Sequence, residues 1–287
     1  MLIRQIIDLE YISNTECPKF LEFLNTIFGG NISMIDFIQE CIGYSLSGFT
    51  TEDCLFFLYG TGKNGKSTFA EILKLLFGNY FHKANIELIL QQKNNNIRND
   101  IADLKGKRIV ITSEIADGRH LAESLVKDFT GGDYITARRL YQDYFTFKPF
   151  FKLWVYGNHK PIIRGTDEGI KRRIKLIPFT VTIPSKEVRS RDSIIAEIIP
   201  ELPGILNWAL KGFNKWRENG SLCFPSEVSM ATENYLKEMD RVQNFVNERC
   251  NVGVNYQMKV KDLYEGYQNI AMKMVILRLV NVHLVIN

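Results

Sequence analysis

Cysteine and histidine are scarce in this chain and never gather. The five cysteines stand at 17, 41, 54, 223 and 250 without a CxxC pair, and the four histidines form neither HxxxH nor HExxH. An odd, dispersed cysteine set builds no disulfide framework, so reduced thiols are expected, and no structural metal site is expected either. Long apolar runs are missing too. No uninterrupted stretch approaches the roughly 18 residues that a spanning helix needs, so no membrane partner is expected. The opening MLIRQIIDLEYISN carries Asp8 and Glu10 where a signal peptide is apolar, which predicts a cytoplasmic protein rather than an exported one. Internal repeats are absent, and only the Asn94-Asn95-Asn96 run is compositionally biased.

What is present is an ordinary globular balance: 287 residues, 45% hydrophobic and 24% charged, which excludes a disordered chain, a collagen-like repeat and a coiled-coil rod. That length allows about two domains and a sizeable core. The charge is unevenly spread. Residues 1–50 hold two basic groups against six acidic ones, whereas residues 138–191 hold thirteen against four. A basic block of this kind attracts a polyanion.

Periodicity predicts helices over Phe20 to Ile27 and, after Ser33 as N-cap, over Ile35 to Leu46. Cys54 to Tyr59, Arg108 to Thr112, Lys152 to Tyr156 and Ile174 to Phe179 are short apolar runs that suit buried strands. A helix is expected over Thr68 to Phe77 and another over 120–129. The segment from Ile135 to Phe147 suggests a hairpin turning near Gln142-Asp143. Long helical patterns cover 192–218 and 227–249, and Gln91 to Asn99 reads as a loop. Strands alternating with helices predict an α/β sheet domain with helical additions. The expected organisation is a helical collar over 1–50, an α/β core over 51–185, and a helical region over 186–287.

The strongest chemical signal is Gly60-Thr61-Gly62-Lys63-Asn64-Gly65-Lys66-Ser67-Thr68, which fits GxxxxGK[ST] between a strand and a helix. Glycines let backbone N–H groups curl around phosphate oxygens, and the helix N-terminus adds positive potential. Lys66 is placed to reach the terminal phosphates of ATP, and Ser67 to supply a hydroxyl to Mg²⁺. Hydrolysis also needs a carboxylate. Glu114, just past the strand 109–112, is the candidate, with Asp117 as a helper. Asn158, at the end of the strand over 152–156, has an amide that can orient water. Arg172 and Arg173 carry the charge suited to a transferring phosphoryl group. Arg138 and Arg139 beside Tyr141 and Tyr144 set cations against aromatics near the hairpin tip. This combination serves phosphates and stacked bases, although the two tyrosines could equally pack on the sheet.

The order of these parts resembles the superfamily 3 helicases, most closely the helicase half of phage and plasmid primase-helicases related to the poxvirus protein. The resemblance rests on GYSLSGFTTEDCLFFLYGTGKNGKSTF, LKGKRIVITSE, KDFTGGDYITARRLYQDYFTFKPFFKLWVYGNHKP and GTDEGIKRRIKLIPF, and it covers roughly residues 18–270. It implies an AAA+-type P-loop ATPase fold with a partial winged-helix-like tail, assembled as a homo-oligomer, usually a hexameric ring, around single-stranded DNA at a replication fork. Lys66, Ser67 and Thr68 then match the nucleotide loop, Glu114 the second acidic motif and Asn158 the sensor asparagine. Arg172 or Arg173 matches the arginine finger of the neighbouring subunit. Lys127 to Tyr144 matches the pore-hairpin motif, which adds Lys127 to the nucleic-acid set. The implied activity is an ATP-dependent DNA helicase of a phage, plasmid or other mobile element, in a bacterial or virus-infected cell. The alternative is a nucleotide-dependent origin-melting or loading factor without processive unwinding. Many relatives carry two consecutive acids where Ile115 follows Glu114 here, so the metal-holding and base roles stay undivided. Priming is expected from a separate primase, and the apolar stretch 272–286 reads as a curtailed tail.

Overall fold

The computed structural model describes residues 5–92, 98–164, 168–186, 188–253 and 256–269. Most of the Asn-rich loop, and the whole apolar stretch 272–286, lie outside the described residues. The chain divides into two compact units, Met1–Leu236 and Lys237–Asn287.

The first unit opens with α1 (Pro18–Ile27) and α2 (Ile32–Leu46), followed by β1 (Leu55–Tyr59), α3 (Lys66–Phe77) and β2 (Phe81–Lys83). A single turn, α4 (Asn99–Ala102), precedes β3 (Ile109–Ser113) and α5 (Glu123–Thr130). The hairpin β4 (Ile135–Arg138) and β5 (Tyr144–Phe147) leads into β6 (Lys152–Gly157). A second single turn, α6 (Glu168–Lys171), leads to β7 (Ile174–Pro178), α7 (Arg191–Ile198), α8 (Leu202–Asn219) and α9 (Ser226–Met239), which runs across the division. The second unit continues with α10 (Arg241–Arg249) and a helical segment over 260–269. Within it, Phe245 meets Tyr267 edge-on at 5.5 Å between ring centroids.

Five parallel strands form one sheet in the order β2-β3-β6-β1-β7, while β4 and β5 pair antiparallel apart from it. Covered on both faces, such strands read as unbroken apolar runs, which is why LFFLY and IVITS are legible as strands. α1, α2 and α3 pack Phe20, Leu24, Phe37, Ile38, Phe69 and Leu73 into the same core as Phe56 and Trp154 of the sheet.

Local chemistry sets several boundaries differently from the periodicity. Asn31, not Ser33, caps α2: its side-chain oxygen accepts from the Met34 N–H at 3.1 Å, and Ser33 Oγ donates to it at 2.7 Å. α5 begins at Glu123 because His120 and Leu121 are spent on bridges to Ile162 and Leu90. The pattern over 192–218 breaks into α7, a 3₁₀ turn at Ile199–Glu201 and α8, since Pro200 offers no N–H and its ring crowds the preceding turn. That over 227–249 breaks at Asp240, whose carboxylate accepts from Gln243 N–H at 2.9 Å and starts a fresh helix. β2 was too short and too polar to be anticipated.

Among the described residues, the helical stretch Arg191–Asn219 is long and apolar enough to cross a membrane by length and composition. Its buried face, with Leu202, Ile205, Ala209 and Trp216, belongs to the core. Gly43 and Gly212 let α2 and α8 meet backbone to backbone: an added Cβ would lie 2.2 Å from Phe213 N and 2.1 Å from Gln39 O respectively.

Glu201 ties this helical layer to α1. Cys17 provides no side-chain cap, and the Lys19 and Phe20 N–H groups instead donate to the two Glu201 oxygens at 3.0 Å each. A carboxylate also suits the positive end of the helix. Glu201→Ala is therefore expected to lower the free energy of unfolding by about 1–2 kcal/mol, with Glu201→Gln losing less. An unchanged midpoint in urea unfolding of the alanine variant would refute the cap.

Candidate functional site

Sheet order, not sequence proximity, assembles the site. β3, β6 and β1 are neighbours in register, with Ser113 opposite Tyr156 and Tyr59 opposite Gly157. Their carboxyl ends therefore release Glu114, Asn158 and the loop from Gly60 side by side, at the edge where parallel α/β sheets bind ligands. Two bonds tighten the junction: Glu114 N–H donates to Tyr156 O at 3.2 Å, and Gly60 N–H to Gly157 O at 3.4 Å. Glu114 has φ of +66°, sparsely populated for a residue with a side chain, and it is exposed.

The loop itself is folded tightly between β1 and α3. Gly65 sits in the left-handed region with φ of +81° and caps α3, and an added Cβ would lie 2.5 Å from Ile27 Cγ2 of α1. Only glycine satisfies both demands. Asn64 is buried, its amide nitrogen donating to Phe179 O at 3.2 Å. Lys66 is 5% exposed and turned back on the loop, its Nζ donating to Gly60 O at 2.7 Å and to Asn64 Oδ1 at 2.9 Å. Burial pushes the Lys66 amine down to about 8. Ser67 is exposed and Thr68 buried at the start of α3.

A cavity of about 750 Å³ opens over this edge. Gly62, Lys63, Asn64, Gly65, Lys66, Ser67 and Thr68 line it together with Glu114 and Asn158, whereas Gly60 and Thr61 stand at the loop's entry outside the wall. Asp117 is not part of the wall either; its carboxylate accepts from Gly118 N–H at 2.9 Å in a local turn. The opposite side is made by residues that sequence reasoning missed. α1 contributes Lys19, Glu22, Phe23 and Thr26, and the segment around α7 contributes Ile183, Arg189, Ile194, Glu197 and Ile198. Nothing in the α1 sequence separates a cavity wall from an ordinary core helix. Lys19 pairs with Glu22 at 2.9 Å, and Arg189 with Glu197.

Arg172 and Arg173 stand at the other end of the sheet, just before β7, whose first residue is opposite Leu55 at the start of β1. Five strand residues, roughly 16 Å, separate this end from the glycine-rich loop. The two arginines differ sharply. Arg173 is 8% exposed, and its Nε donates to Thr130 Oγ1 at 2.9 Å and its Nη1 to Gly169 O at 2.6 Å. Arg172 is exposed and touches Asp53 Oδ2 at 3.2 Å.

The hairpin lies at this same end, since β5 leads directly into the start of β6. Tyr141 at its tip is 97% exposed with φ of +60°, and Tyr144 is also exposed, so neither packs on the sheet. The Arg138 guanidinium lies 4.8 Å from the Tyr144 ring centre, and Arg139 pairs with Asp103 at 2.8 Å. Lys127 is half-buried in the last turn of α5. The basic block is thus only partly a surface. Lys152 is buried, donating to Ser47 O at 2.5 Å, and Arg173 is buried too, while Lys160 lies over Tyr59 and Lys175 over Phe224.

Fold and site together define a parallel α/β protein with a glycine-rich loop, a lysine, a carboxylate and an amide converging on one cavity. Residues 58–173 match a family described as being of unknown function (DUF5906). The chain is 32% identical over 254 residues to "Putative helicase L207/L206" of Acanthamoeba polyphaga mimivirus, covering 83% of this chain and 26% of that protein. It is 25% identical over 268 residues to "Putative helicase 022R" of Frog virus 3 (isolate Goorha), covering 88% and 27%. Primase D5 of Fowlpox virus (strain NVSL) is 26% identical over 170 residues, covering 58% and 21%. The chain therefore spans about a quarter of the length of these relatives. The apo structure of the NrS-1 C-terminal region (305–718) shares the fold, with a TM-score of 0.58 at 15% identity over 85% of this chain and 59% of that one. These relatives and this fold bear out the resemblance to superfamily 3-like helicases of the poxvirus primase-helicase type.

Proposed function

We propose that this chain is the ATP-hydrolysing motor of a superfamily 3 DNA helicase, working as a ring on single-stranded DNA during replication of a virus or other mobile element. The observation that carries this reading is the convergence of Lys66, Ser67, Glu114 and Asn158 around one cavity from three adjacent strand ends. The triphosphate of ATP lies along the loop N–H groups and the start of α3, and Lys66 swings from Gly60 O and Asn64 Oδ1 to the phosphates. The apolar side chains of Phe23, Ile183 and Ile194 form the far wall for the nucleoside. Ser67 and Glu114 offer hard oxygen donors in the cavity and would hold Mg²⁺, which would supply charge neutralisation to the triphosphate. Glu114 polarises the attacking water and Asn158 orients it.

Arg172 cannot reach its own chain's cavity from the opposite end of the sheet, and its exposure suits it to the γ-phosphate held by an adjacent copy. This distance supports a ring in which one subunit completes the next subunit's site. The exposed Tyr141 and Tyr144 stack bases while Arg138 and Arg139 meet phosphates, as single-strand binding without sequence preference requires.

Steady-state ATP hydrolysis with and without single-stranded DNA tests the proposal. Hydrolysis that DNA accelerates is expected; a folded full chain with no hydrolysis in either condition would overturn it. Strand displacement at saturating ATP then separates a helicase from an origin-melting or loading factor.

The lowered Lys66 value gives a second test. The free site loses its Lys66 proton through about pH 8, whereas a triphosphate holds the amine charged to higher pH. Below pH 8 the amine is protonated in both states and contributes no pH dependence. Between about 8 and 10, binding takes up a proton and affinity falls as pH rises. Calorimetry at pH 8.5 in two buffers of different ionisation enthalpy is expected to show net proton uptake; equal heats would contradict it.

A further inference from the structure

Asp53 is a strained residue with an unusual pair of partners. It precedes β1 with φ of +48°, a conformation that L side chains rarely adopt. Its Oδ2 accepts from Arg172 Nη2 at 3.2 Å and lies 3.6 Å from Arg173 Nη2. Arg173 does not depend on this carboxylate, because Thr130 Oγ1 and Gly169 O already hold it. Arg172 does: its side chain is 65% exposed, and Asp53 holds it by a hydrogen bond from a less exposed position. The backbones behind the two residues are locked together, since Leu55 N–H donates to Arg173 O at 2.8 Å and Leu55 lies opposite Ile174.

We propose that Asp53 is the positioning residue of Arg172, holding its guanidinium in the pose from which it enters the phosphate site of a neighbouring copy. The inference rests on the reading of Arg172 as a residue acting in trans. A long exposed arginine samples many rotamers, and a fixed carboxylate that limits them reduces the ordering cost when the γ-phosphate takes over. The left-handed backbone aims that carboxylate. Asparagine tolerates the same conformation, so Asp53→Asn removes the charge while leaving the turn intact.

The test uses mixtures of full chains. Arg172→Ala lacks the trans arginine but keeps its own site, and Lys66→Ala has the reverse defect. Mixed together, they are expected to recover ATP hydrolysis at interfaces where an intact site meets an intact arginine. No recovery would refute the trans reading itself, and this inference with it. Given recovery, Asp53→Asn is added to one partner at a time. Placed in the Lys66→Ala chain, whose Arg172 is in use, it is expected to lower the recovered kcat roughly 10- to 100-fold with KM for ATP unchanged. Placed in the Arg172→Ala chain, whose arginine is already gone, it is expected to leave the recovered rate unchanged. Full recovery in both arrangements, equal loss in both, or loss only in the second would overturn the proposal. Asp53→Gly, which relieves the backbone and also removes the carboxylate, is expected to follow the same asymmetry, so a pattern seen only with asparagine counts against it.

Discussion

Lys66→Ala is expected to reduce ATP hydrolysis by about a thousandfold or more, the scale on which removal of a fixed charge-stabilising donor acts in a water-poor site. The lysine is the one cation buried within the loop, and its two present acceptors, Gly60 O and Asn64 Oδ1, are groups that a triphosphate would replace. Truncation should leave the fold standing. Burial already disfavours the charged amine, and Asn64 keeps its own hydrogen bond to Phe179 O. A variant with wild-type unfolding but no turnover, measured by phosphate release, supports the assignment. Turnover within tenfold of the parent would move the chemistry elsewhere.

The second large effect separates two adjacent arginines. Arg172→Ala is expected to lower kcat by about 10³-fold, as loss of an arginine finger does, while stability stays within about 0.5 kcal/mol. Arg173→Ala is expected to act through the fold, at about 2–3 kcal/mol, because it removes a buried guanidinium together with its hydrogen bonds to Thr130 Oγ1 and Gly169 O. Urea unfolding beside steady-state kinetics distinguishes the two outcomes. An unstable Arg172 variant and a stable, inactive Arg173 variant would exchange their roles.

These contrasts mark where the sequence was readable. Four of the five strands of the parallel sheet stand out because each is buried on both faces and needs no polar alternation, and the loop is legible because phosphate geometry demands its glycines at fixed offsets. The acid and the amide are legible by position, each just past the end of an apolar run. Burial of individual charges was not. Lys152 lies in an apolar strand and Arg173 beside its exposed neighbour, and a charge count assigns all of them to one basic block. Whether such a group is spent internally depends on partners such as Ser47, Thr130 and Gly169, far away in sequence. α1 was equally opaque as a cavity wall, because Phe23 faces an opening that only the fold creates.

The contact between Gly65 and Ile27 has a practical consequence for dissecting this protein. The motif-bearing stretch, excised at residues 51 and 185, would keep every group proposed above to touch phosphate and lose α1 and α7, which close the cavity's other side. The glycine-rich loop would then rest against solvent where Ile27 and Phe23 now brace it. The smallest portable piece with a whole cavity has to carry both α1 and α7 along, and the segment by which the chain is most readily recognised is shorter than the one that can be cut out with that cavity intact.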